Sequence, residues 1–117
     1  MDGEIAVSEL REKLDDDGLV LVDIREPPAF RRGHVPGSVN VPFRQLPDRV
    51  AELADADEIV TVCPHGKSSV QAAQLIGSYE GTSDARVESL AGGLSQWDGD
   101  IERAVETGAD EGPEAPF

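Results

Sequence analysis

The residues best able to do chemistry lie in one short run, Cys63-Pro64-His65-Gly66-Lys67-Ser68-Ser69. Cys63 is the only cysteine of the chain, and it directly follows the apolar segment Ile59-Val60-Thr61-Val62. A helix-compatible stretch begins near Ser69. A tight loop that enters a helix turns successive backbone N–H groups inward, making an anion-binding nest backed by the helix dipole. A cysteine at the head of such a nest sees positive potential, and helix N-termini lower a cysteine pKa to roughly 3.5–7.5. Gly66 allows torsions that a Cβ would resist. Lys67 adds a cation, Ser68 and Ser69 offer hydroxyl donors, and His65 offers a donor or a second positive charge. The chemistry this predicts is nucleophilic, a thiolate held beside an anion site. A buried, inert cysteine closing a strand is the competing reading of the same residues, because free cysteine is among the most buried residue types.

The elements that must position this loop alternate between short apolar strands and helical stretches. Residues 5–7 read as a brief strand, and Ser8 as the N-cap of a helix through Leu14, with Leu10 and Leu14 spaced i, i+4. Leu19-Val20-Leu21-Val22 and Ile59-Val60-Thr61-Val62 are apolar runs of the kind buried on both faces of a sheet. Between them come a proline- and glycine-punctuated loop around a short helix at 29–32, a strand at 39–41, and a helix over 46–53 with Leu46, Val50 and Leu53 on one face. A helix over 69–79 follows Cys63 with Val70, Ala73 and Ile76 or Gly77 along a stripe. Then come a strand over 86–90 and a mostly helical stretch over 94–105. Strands alternating with helices predict an α/β fold, a parallel sheet with helices on both faces. Sites in such sheets form at the carboxyl ends of strands, where Cys63 stands. The domain is expected to span residues 1–106, and residues 107–117, rich in Gly, Pro and acids, read as an acidic, disordered tail.

Three segments together resemble the rhodanese sulfurtransferases. The loop Cys63-Pro64-His65-Gly66-Lys67-Ser68-Ser69 is similar to the Cys-x-His-Gly-x-Ser-Ser loop of the small single-domain thiosulfate sulfurtransferases. Val22-Asp23-Ile24-Arg25-Glu26, with Phe30, Gly33-His34-Val35-Pro36-Gly37-Ser38 and Val39-Asn40-Val41-Pro42, resembles the upstream signature of the family. Ala91-Gly92-Gly93-Leu94-Ser95-Gln96-Trp97 is similar to its Gly-Gly-x-x-x-Trp element. The resemblance covers about residues 4–100 and implies a five-stranded sheet with the strand before Cys63 near its centre. It implies Cys63 as the persulfide-forming nucleophile, Pro64, His65, Gly66, Lys67, Ser68 and Ser69 as the loop around the sulfur, and Asp23 and Arg25 as supporting residues that brace it. Ser68 stands where many rhodaneses carry Arg, and Lys67 one position earlier offers a point charge without the bidentate fork. The related cysteine phosphatases have a loop one residue longer that ends in Arg. The implied activity moves sulfane sulfur from a small sulfur-containing anion such as thiosulfate to cyanide, a thiol or a sulfur-carrier protein. A catalytically weak rhodanese-like binding module is the second reading, and a phosphatase or arsenate reductase the third.

Composition bounds the partners. The 117 residues suffice for one core. Ten Lys and Arg against 24 Asp and Glu leave a net charge of −14, spread along the chain, with Lys only at positions 13 and 67. Such a surface repels nucleic acid and anionic lipid, so neither is expected as a partner. A distributed acidic excess fits a salt-rich cytosol, where screening removes self-repulsion, and an ordinary acidic cytosolic protein is the alternative. The first 14 residues carry acids and lack the apolar run of a signal peptide, and no stretch approaches the length needed to cross a bilayer, so a cytoplasmic protein is expected. One cysteine and two histidines make neither a disulfide nor a Cys- or His-rich metal site, and no cofactor is implied. His34 reads as a hydrogen-bonded structural residue, Trp97 as packing, and Phe43 as either a pocket-mouth or a covering residue.

Overall fold

The structure, a computed structural model, describes residues 3–103; the expected tail at 107–117 lies outside them. Five strands, β1 (Glu4–Ile5), β2 (Leu19–Asp23), β3 (Val39–Asn40), β4 (Glu58–Val62) and β5 (Arg86–Leu90), form one parallel sheet in the order β1-β5-β4-β2-β3. The apolar runs expected to be buried on both faces are the central strands β4 and β2. Their side chains alternate between two cores. Ile59, Val22 and Val87 face the side covered by α3 (Leu46–Arg49) and α4 (Ser68–Gly77), whereas Val60, Val62, Leu21 and Leu90 face the side covered by α1 (Val7–Lys13). The expected α/β architecture, with helices on both faces, is the one observed.

Several boundaries differ from the sequence reading, each for a local reason. The first strand ends at Ile5, and α1 starts at Val7 with Ala6 rather than Ser8 at the N-cap; the Glu9 carboxylate accepts the Ala6 N–H at 3.4 Å and closes that turn. Helix α2 (Pro27–Arg32) starts two residues before 29, because Pro27 needs no N–H at the first helical position. Residues 46–53 split into α3 and a 3-10 turn at Val50–Leu53, which keeps Leu46, Val50 and Leu53 buried together. On α4 the buried stripe is Ser69, Ala72, Ala73 and Ile76, with Val70 only half-buried.

The helix expected over 94–105 is replaced in its described part. A 3-10 turn at Gly93–Gln96 gives way to extended backbone at Trp97. The Trp97 indole folds against Gly99 and donates to the Asp100 carbonyl at 2.9 Å, and Glu102 exchanges two backbone hydrogen bonds with His34, at 2.8 and 2.9 Å. Those partners take the backbone out of a helical ladder.

One buried acid sits on the α1 face of the sheet. Glu88 accepts from Arg86 Nε through Oε2 at 3.0 Å, while its Oε1 has no hydrogen-bond partner among the described residues. Glu88 faces Glu58, whose carboxylate accepts from Lys13 Nζ at 3.1 Å. Burial pushes the Glu88 carboxyl up and the nearby Glu58 carboxylate raises it further. The Glu58 carboxyl is correspondingly lowered, by the Glu88 carboxyl and, against the opposing effect of burial, by Lys13.

Candidate active site

Strand β4 delivers Cys63 to the carboxyl edge of the sheet, and α4 begins five residues later, at Ser68. Lys67 occupies the N-cap of α4 and has no side-chain oxygen to accept the free N–H groups of the first turn. The cysteine sulfur takes that place. Its Sγ lies 3.3 Å from the Ser69 amide, 3.0 Å from the Gly66 amide and 3.3 Å from the Ser69 hydroxyl. Burial alone pushes the Cys63 thiol up. The Ser69 hydroxyl, together with the amides of Ser69, His65 and Gly66, outweighs burial and holds the thiol below its usual value.

A second layer holds these donors. Ser69 Oγ lies 2.6 Å from Ser89 Oγ, a residue of β5, and the Ser69 carbonyl accepts from Thr61 Oγ1 at 2.6 Å. All three side chains are fully buried. When Ser69 donates to a thiolate, its own oxygen accepts from Ser89, so the two hydroxyls form a directed chain ending on the sulfur. Ser89 and Thr61 did not stand out in the sequence. Their only signal was a polar residue within each strand, Thr61 in β4 and Ser89 in β5, paired across the sheet in register.

The glycine pair after β5 supports the loop from behind. Gly92 and Gly93 have φ of 74° and 64°, and Gly66 has φ of 78°. A Cβ on Gly93 would fall inside contact distance of the Cys63 carbonyl and 2.5 Å from the Gly66 amide. That close approach lets Leu94 and Ser95 donate their amides to the carbonyls of Cys63 and Pro64, each at 2.9 Å. Loop and glycine turn thus lock together through backbone alone.

Asp23 and Arg25 form a neighbouring unit. Asp23 is buried and accepts from Arg25 Nε at 3.0 Å, Arg25 Nη2 at 2.8 Å and the Arg25 amide at 3.0 Å; Nη2 also donates to the Gly33 carbonyl at 2.7 Å. Asn40 ties the same backbone by donating to the carbonyls of Asp23 and Arg25. His34 stacks on Phe30 at 3.8 Å between ring centroids, and its Nδ1 bonds the Phe30 carbonyl at 2.7 Å. Trp97 packs against the core on the α1 face.

A cavity of about 400 Å³ opens at Cys63, between the loop (Pro64, Ser68), α2 and its lead-in (Ile24, Arg25, Ala29), and Phe43. Phe43 is therefore a lining residue. Pro64, His65, Lys67 and Ser68 are exposed, and Lys67 is not among the residues that line this cavity.

Taken with these features, comparison with known proteins places the chain. Residues 6–100 match the Rhodanese-like domain, and the protein belongs to that family. It is 43% identical over 91 residues to the thiosulfate sulfurtransferase GlpE of Pseudomonas syringae pv. syringae, covering 76% of this chain and 81% of that one. GlpE of Pseudoalteromonas translucida is 32% identical over 102 residues, covering 87% and 94%. Among solved structures, a thiosulfate sulfurtransferase from Pseudomonas aeruginosa superposes with a TM-score of 0.77 at 23% identity, over 88% of this chain and 20% of that chain, and shares the fold. Among the described residues no helix is long and apolar enough to cross a membrane.

Proposed function

We propose that the protein is a sulfurtransferase that carries sulfane sulfur as a persulfide on Cys63. The observation that carries this reading is the set of polar groups converging on one buried sulfur: the Gly66 and Ser69 amides, which donate to it, and the Ser69 hydroxyl, at 3.0 to 3.3 Å. They favour the thiolate, the form that attacks sulfur. Two relatives over 30% identical are named as thiosulfate sulfurtransferases, which supports the same chemistry.

The cycle runs in two displacements. The Cys63 thiolate attacks the outer sulfur of a donor such as thiosulfate; an S–S bond forms to Cys63, the donor S–S bond breaks, and sulfite leaves with the electron pair. The terminal sulfur is now an anion, and the loop amides that held the thiolate are placed to hold it. A thiophilic acceptor, namely cyanide, a thiol or a sulfur-carrier protein, then attacks that terminal sulfur and the Cys63 thiolate is regenerated. Pro64, His65, Gly66, Lys67, Ser68 and Ser69 form the pocket for the transferred atom in this reading, and Asp23 with Arg25 brace its wall.

The test is transfer from thiosulfate to cyanide, with mass spectrometry of the Cys63 peptide after donor alone. Thiocyanate release, the mass of one added sulfur on Cys63, and loss of both in Cys63→Ala are expected. Activity retained in Cys63→Ala, or no sulfur on Cys63, overturns the proposal.

A further inference from the structure

We propose that the leaving-group side of this site is built for a carbon-bearing thiolate, so that an organic persulfide, R–S–SH with a compact apolar R, is a better donor than thiosulfate. The inference rests on the persulfide reading of Cys63 and concerns what lies outside the loop. A donor presents its outer sulfur to Sγ and its leaving group to the cavity. Sulfite, leaving as a dianion, needs unmatched positive charge there.

The cavity offers little. Among the described residues that line it, the one cation, Arg25, is matched by the carboxylate of Asp23 and engaged by the Gly33 carbonyl. Its one anion, Glu26, is matched by Arg44 at 3.0 Å. Two guanidinium groups and two carboxylates sum to zero. Lys67 lies outside the lining, and the whole chain carries −14. Apart from Cys63 and the Ser68 hydroxyl at the loop, the remaining wall is carbon, from Ile24, Ala29, Phe43 and Pro64, in a space of about 400 Å³, far more than one sulfonate fills. Apolar walls of this kind stabilise an apolar group by removing it from water.

The step balances without a further reagent. The Cys63 thiolate attacks the outer sulfur of R–S–SH, the new S–S bond forms, the donor S–S bond breaks, and RS⁻ departs with its electron pair. The hydrogen stays on the transferred sulfur until the nest favours its loss to solvent. No net oxidation occurs.

The experiment measures sulfur loading of Cys63 by quenched-flow mass spectrometry with benzyl hydropersulfide, methyl hydropersulfide and thiosulfate. Each rate is divided by that of the same donor with free cysteine under the same conditions. A phenyl ring that loses about 60 Å² of wet carbon surface gains about tenfold in kcat/KM over methyl. The normalised order expected is benzyl, then methyl, then thiosulfate. Phe43→Ala is expected to bring benzyl within about threefold of methyl. Ala29→Phe, which fills the cavity from α2 and keeps the core intact, should slow benzyl more than methyl. Equal rates for benzyl and methyl, or thiosulfate ahead of both, overturn the inference while sulfur on Cys63 leaves the underlying reading standing. No sulfur on Cys63 from any donor overturns that reading itself.

Discussion

Ser69→Ala removes one hydroxyl, 3.3 Å from Cys63 Sγ, and leaves the Gly66 and Ser69 amides in place. A hydrogen bond to a charged group contributes about 1.5–3 kcal/mol, and every 1.4 kcal/mol is tenfold, so at a fixed pH below the wild-type midpoint the variant should hold about ten to a hundred times less thiolate. The sign follows from the direction of the perturbation. The wild-type thiol is held below its usual value, so thiolate is present above that lowered midpoint and lost as pH falls through it. The variant loses its thiolate at higher pH, and the deficit closes only above the variant's own, raised midpoint. Alkylation by iodoacetamide across pH reads this directly, because Cys63 is the sole cysteine of the chain. Ser89→Ala gives a graded control. It removes only the hydroxyl behind Ser69, at 2.6 Å. Polarisation along a hydrogen-bond chain strengthens each bond by about 10–30%, which predicts alkylation slower by a factor of about 1.3 to 5. Identical midpoints for wild type and Ser69→Ala, or a larger effect from Ser89 than from Ser69, would refute the argument that this hydroxyl chain sets the thiolate.

Gly93→Ala should destabilise by at least about 2 kcal/mol, since the left-handed torsion and the contact with the Cys63 carbonyl both oppose a methyl group. It should also slow Cys63 alkylation, whereas Gly37→Ala, with φ of 84° but open space around it, should pay only the torsional part in urea unfolding and leave alkylation unchanged. Glu88→Gln keeps the side-chain volume and cannot ionise. The raised Glu88 carboxyl contributes stability at acid pH that is lost as pH rises through its folded value, so the variant should match wild type in acid and exceed it in base; a difference independent of pH would show that Glu88 does not titrate as described. With a net charge of −14, the thermal midpoint should climb between about 0.1 M and about 2 M KCl, and a maximum in dilute buffer would contradict the reading of a salt-adapted surface.

Much of the site was legible because it is local. A strand, a cysteine and a glycine-containing loop running into a helix are contiguous in the chain, and the geometry of a helix start dictates where the amides point. The central strands were legible for a related reason, since β2 and β4 are covered on both faces and their sequences show it as unbroken apolar runs. Element ends were less so. Ala6 rather than Ser8 caps α1 because the Glu9 carboxylate supplies the missing acceptor. The segment after Gln96 left the helix because His34, more than 60 positions earlier, offered its backbone as a partner.

The sequence by itself determined the alternation of strands and helices, the place of Cys63 after a buried strand, and the glycines that its loop requires. Only the tertiary structure decided which residues stand around that sulfur from afar. Ser89 reaches Ser69 because β5 pairs beside β4, Gly93 presses on Cys63 because the turn after β5 returns to the same edge, and Arg25 is drawn onto Asp23 and away from a free anion. Such contacts depend on strand order and register, which pairing between distant segments selects and no run of neighbouring residues encodes.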